Sequence, residues 1–137
     1  MAIELDQLSE RIEESYEFTL SYAARGLAGE ENSDTTRQLK DHLTRALGAM
    51  RGLAAACRDV AAREKLEPAE RYEAFFAVMR RDAEGAIAAM DLVLAQPAIG
   101  SQLIDNLNAS IHLRALLADL FLVTEVLEAR RRKSLAS

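Results

Sequence analysis

The chain has no tryptophan, one cysteine, two prolines and only 5% aromatic residues in its 137. A lone Cys57 cannot form an internal disulfide, so a reducing compartment is expected and with it a cytoplasmic location. With Pro68 and Pro97 as the only prolines, long stretches are free to run as uninterrupted helix. The scarcity of aromatic residues argues against strands, where aromatic and β-branched residues concentrate. No segment approaches the roughly 20 consecutive apolar residues of a bilayer span, so no membrane span is expected. The opening MAIELDQLSE has neither a basic start nor an apolar run, and no secretory signal is visible. Lysine is confined to Lys40, Lys65 and Lys133 in a chain of net charge −5, so no nucleic-acid partner is expected, because that affinity comes from neutralising phosphates.

What is present is mostly Ala, Leu and charge. Half the residues are hydrophobic and 28% are charged, which excludes wholesale disorder. The length suits one domain over residues 1–137 with a single core. In the first segment Leu5, Leu8, Ile12, Tyr16, Leu20, Ala23 and Leu27 recur at spacings of three and four, which predicts an amphipathic helix over about 3–28 closed by Gly29. A polar joint follows, and Ser33 or Asp34 is placed to cap a second helix over about 34–64, with Leu39, Leu43, Ala46, Met50, Leu53 and Cys57 on its inner stripe. Pro68 suits the first position of a third helix over about 68–95, which carries Tyr72, Phe75, Phe76, Met79, Ala83, Ala86 and Met90. Pro97 stops it, and a fourth helix over about 101–132 starts with Ser101 as its cap. Three short joints predict an all-α, up-down-up-down antiparallel four-helix bundle, with residues 133–137 as a frayed tail. The basic run from Arg130 to Lys133 suits the negative end of the last helix dipole.

Few residues suggest chemistry. The segment His42-Leu-Thr-Arg45-Ala46-Leu-Gly48 resembles the phosphoacceptor segment of histidine phosphotransfer domains, which are helical bundles with a Lys and a Gly following the receiving His. Here a basic residue stands at the third following position, and Ala46 replaces the glycine at the fourth. That resemblance implies His42 as phosphoacceptor with Arg45 beside it. The spacing of Arg37 and His42 resembles the Arg–His pair of HEPN ribonucleases, which implies proton transfer by the His and phosphate stabilisation by the Arg. The bland alternative is a histidine at the border of the core stripe, bonded to a neighbour. A di-metal carboxylate site would need Glu three residues before a histidine, but Leu39 and Ala109 occupy those places. Without a phosphate loop, nucleophile elbow or paired-cysteine motif, no metal, cofactor or enzymatic activity is expected.

The last helix is unusual because two of its faces are apolar. Ile104, Leu107, Ile111, Ala115, Ala118 and Leu122 share one sector of the wheel, and Leu113, Leu116, Leu120, Val123 and Leu127 share a roughly opposite one. The first sector is expected to close the core and the second to meet a partner, since an exposed apolar strip usually marks an interface. Phe18 and Tyr22 stand off the stripe of the first helix; exposed, they join that contact surface, and the equal alternative is that a helix wedged into its neighbours buries them. The sequence therefore predicts a non-enzymatic interaction domain (an adaptor, assembly or export chaperone, or regulator) that forms a homodimer or binds a protein partner. An internally sandwiched fourth helix is the competing expectation.

Overall fold

The computed structural model describes residues 4–136, which form five helices and, among these residues, no strand. They are α1 (Leu5–Ala23), α2 (Asp34–Arg63), α3 (Ala69–Leu94), α4 (Ser101–Asn108) and α5 (Ile111–Ala136). The predicted start at Ile3 lies outside the described residues. Helix α1 packs along α2, α2 against α3, α3 against α5, and α4 against α1. The expected fourth helix is thus two helices, and its halves serve different neighbours.

The break between α4 and α5 has a local cause. Asn106, Asn108 and Ser110 bond readily to nearby backbone in non-helical turns. The amide of Ser110 bonds back to Leu107, and its carbonyl starts the next helix by accepting from Arg114. Asn108 is buried and donates from Nδ2 to the carbonyl of Thr19 at 3.0 Å, which pins the end of α4 to α1.

This joint re-phases the chain and overturns the two-face assignment. Ile104 and Leu107 of α4 are buried as expected. Beyond the joint the inward direction swings by roughly 140° on the wheel. Leu113, Leu116, Leu120, Val123 and Leu127, expected on the partner-facing side, are 0–3% exposed within the single chain. Ile111 and Leu122, expected inside, are 75% and 54% exposed. Helix α5 also continues through Lys133 to Ala136, where a frayed tail was expected.

Helix α1 differs in a related way. Its inner line runs Leu5, Leu8, Ile12, Ser15, Thr19 and Tyr22, while Leu20 is 48% exposed. Buried hydroxyls cost little once bonded: Ser15 Oγ donates to the carbonyl of His42 at 2.8 Å, and Thr19 Oγ1 donates to that of Tyr16 at 2.8 Å. Tyr22, a surface contact in one of its two readings, is therefore carried into the core, where its hydroxyl donates to the Ile99 carbonyl at 2.6 Å.

The chain leaves α1 early and runs through Gly26 at φ 66° and Gly29 at φ 79°. Gly29 lies so close to the segment before α4 that a Cβ there would sit 2.3 Å from the Ile99 carbonyl carbon. Ser101 is the first residue of α4 rather than its cap; its hydroxyl accepts from the Leu27 amide at 2.8 Å and donates to the Tyr22 carbonyl at 2.6 Å. Elsewhere Ser33 caps α2 as expected, accepting from the Thr36 amide at 3.1 Å. Pro68 stands one residue before α3 instead of opening it.

Candidate functional site

Two grooves at the surface carry the residues of interest. The larger lies between α1 and α2, has a volume of about 540 Å³, and is lined by Arg11, Glu14, Ser15, His42, Arg45 and Gly48. Pairing of α1 with α2 brings these residues together from two stretches about thirty positions apart in sequence. His42 is half-buried, and Phe18 stacks on its imidazole with ring centroids 4.1 Å apart and planes 18° from parallel. Phe18 is thus partly buried and occupied by the histidine.

Arg45 lines the groove beside His42, whereas Arg37 does not. Arg37 is exposed near the start of α2 and paired with Asp34. The structure therefore assembles His42 with Arg45, and it separates the Arg–His pair that resembled a ribonuclease motif. Sequence reasoning missed Arg11, which stands one helix away. It also missed the use of Gly48, where a Cβ would meet nothing within 4 Å, so the groove stays open at that point.

The second groove lies between α3 and α5, measures about 190 Å³, and is lined by Arg71, Tyr72, Phe75, Leu122, Val123 and Val126. Arg71 alone in that lining is charged. Leu122 is 54% exposed, and Phe121, Val126 and Val78 are exposed as well. The apolar surface of α5 therefore exists, but it is the face opposite the predicted one. Tyr72 and Phe75 were read as core; they are half-buried groove walls.

One turn along the same pair of helices, the carboxyls of Asp82 and Asp119 meet. Asp119 Oδ2 is buried without a hydrogen-bond partner. Burial, then the bond to the Asp82 carboxyl and its charge, push the Asp119 carboxyl up to about 7.

Other candidates are ordinary. Cys57 is buried, and its desolvation pushes the thiol up to about 11, away from reactivity. His112 packs against α3, where a Cβ at Gly85 would lie 2.7 Å from its ring. Among the described residues no three His, Cys, Asp or Glu side chains cluster as a metal site, and no helix is long and apolar enough to cross a membrane. Comparison with known proteins finds no matching family model, no matching curated protein and no matching solved structure.

Proposed function

We propose that the chain is a non-enzymatic protein-interaction domain of the cytoplasm that self-associates through the outward face of α5 and its groove with α3. In this reading α4 and α5 together act as the fourth member of an up-down-up-down bundle, and the break frees one side of α5 for a partner. The observation that carries it is the exposed apolar strip of Phe121, Leu122 and Val126 beside Tyr72 and Phe75. Fully burying side chains of this size is worth about 1.5–3 kcal/mol each, against which docking costs must be set.

A second copy of this chain is the partner that the charges favour. Arg114 and Glu125 are both exposed on the outer side of α5, eleven residues or about 16 Å apart along the helix. A two-fold axis between them, at the level of Ala118 and Phe121, sets Arg114 of each copy against Glu125 of the other. The same strip then serves both partners, as an isologous interface requires, and Ala118 allows close approach at the axis.

Sedimentation equilibrium over about 10–500 µM, the range of a modest apolar interface, tests this. The wild type is expected to dimerise, and Leu122→Glu with Val126→Glu to give a folded monomer. Arg114→Glu should weaken the dimer, and adding Glu125→Arg should restore it. A wild type that stays monomeric throughout overturns self-association.

A further inference from the structure

The α1–α2 groove has a composition that self-association through α5 leaves unused. Among the described residues five of the other twelve arginines are ion-paired: Arg37 with Asp34, Arg51 with Asp91, Arg63 with Glu4 and Asp59, Arg131 with Asp6 and Glu64, and Arg132 with Glu125. Arg11 and Arg45 line one cavity from two different helices, and among the described residues neither is joined to a carboxylate by an ion pair. The Ser15 hydroxyl is committed to the His42 carbonyl, which ties the two walls together. Phe18 covers a face of the imidazole, and a stacked ring still presents its nitrogens in the ring plane, at its edge. The open space at Gly48 leaves room above α2.

We propose that this groove binds a small hydroxylated phosphomonoester, such as a sugar phosphate. Two guanidinium forks and an imidazole supply donors from three positions, which suits a three-oxygen dianion better than a planar carboxylate. Glu14 is the one acid in the lining and repels a bare anion. It accepts from a hydroxyl group, so the ligand carries that donor next to its phosphate. The volume of about 540 Å³ exceeds what inorganic phosphate fills and lies in the range of small-molecule sites.

The test follows the His42 ring resonances by NMR during titration with ribose 5-phosphate, inorganic phosphate, ribose and a phosphoserine peptide. Saturable shifts are expected with ribose 5-phosphate, weaker binding with inorganic phosphate and none with ribose. Arg11→Gln and Arg45→Gln change exposed residues and should keep the helical signal, while each weakens binding about tenfold, the usual loss for a charge-assisted hydrogen bond. Glu14→Gln should shrink the preference for ribose 5-phosphate over inorganic phosphate, and an unchanged preference overturns the role given to Glu14. No saturable shift, equal binding of ribose, or unaltered binding in both arginine variants overturns the site. Tighter binding of the peptide than of the sugar phosphate overturns the assignment to a small ligand. The monomeric α5 variants should bind equally well, so the outcome is independent of the dimer.

Discussion

The two ends of the molecule are closed by different physics. At one end the loop after α1 and the segment before α4 lock together through neutral, mostly buried groups: the Tyr22 hydroxyl on the Ile99 carbonyl, the Ser101 hydroxyl between Leu27 and Tyr22, and Gly29 against the Ile99 backbone. At the other end Arg131 reaches from α5 to Glu64 at 2.6 Å and to Asp6 at 2.9 Å, and Arg63 pairs with Glu4 at 3.0 Å. These charged groups are only partly covered. Close contact without charge depends on shape and little on salt or pH, whereas the ion pairs are screened by salt and lost in acid. One end is thus a fixed joint and the other a conditional clasp.

The strongest way to break the comparison is at Gly29. Gly29→Ala meets both a φ of 79° and backbone atoms at 2.3–2.5 Å, which no side-chain rotation relieves. Strain and overpacking of this kind cost about 3 kcal/mol together. Gly26→Ala is the matched control: its φ is 66° but a Cβ there meets nothing within 4 Å, so only the left-handed backbone cost of roughly 1–2 kcal/mol remains. Urea midpoints should separate the two variants, and the gap should persist in high salt. Equal midpoints would show that the loop gives way and that this end is not a fixed joint.

The fixed joint was almost invisible in the sequence, and the reason is physical. Turn residues marked the polar stretch from Gly29 to Asp34 as a joint, and the second and third helices lie where periodicity placed them, within one or two residues. A count of apolar side chains, however, preferred Tyr16 and Leu20 to Ser15 and Thr19 for the inside of α1. Hydroxyls bonded to backbone carbonyls are as acceptable inside as methyl groups, and that choice decides where Tyr22 points. The same blindness misplaced the faces of α5. Five leucine and valine positions were recognised as a coherent stripe, but which way it faces depends on the two residues at the joint after Asn108. The Asn–Ser composition there carried the signal. The groove at His42 was half legible: Arg45 is a local neighbour in sequence, whereas Arg11 and Phe18 arrive only through the pairing of α1 with α2.

Between the two ends, the meeting of Asp82 and Asp119 predicts an inverted response to acid. The Asp119 carboxyl rises from its ordinary 3.8 to about 7 in the folded chain. A raised folded value means that the folded state holds the proton more tightly. Its contribution to stability is fully present below about 3.8 and is lost as pH rises through about 7. Asp119→Asn keeps the shape, stays neutral and offers a donor to Asp82. At pH 8 it should gain about 1–2 kcal/mol, a figure kept low because the half-buried pair is partly screened by solvent; at pH 4 the gain should vanish. Denaturant titrations at both pH values give the comparison, and a variant no more stable than the wild type at pH 8 would remove the strain assigned to this pair.

Arg131→Ala is the smallest effect and the one that isolates the clasp. Hydrogen bonding and charge from Arg131 hold the Glu64 carboxyl below its ordinary 4.5. A lowered folded value stabilises the fold above about 4.5, and that contribution is lost as pH falls through the lower folded value. Removing a partly exposed arginine that serves two carboxylates should cost about 1 kcal/mol at neutral pH and low salt. Because the partners keep some access to water, the cost should shrink in 1 M salt, where the screening length is only about 3 Å. It should shrink again in acid, as pH falls through the lowered folded value of Glu64 and the pair with Arg131 is lost. A loss that is unchanged by salt and acid would mean that Arg131 acts through the packing of its aliphatic stem, and both ends of the molecule would then be held by shape.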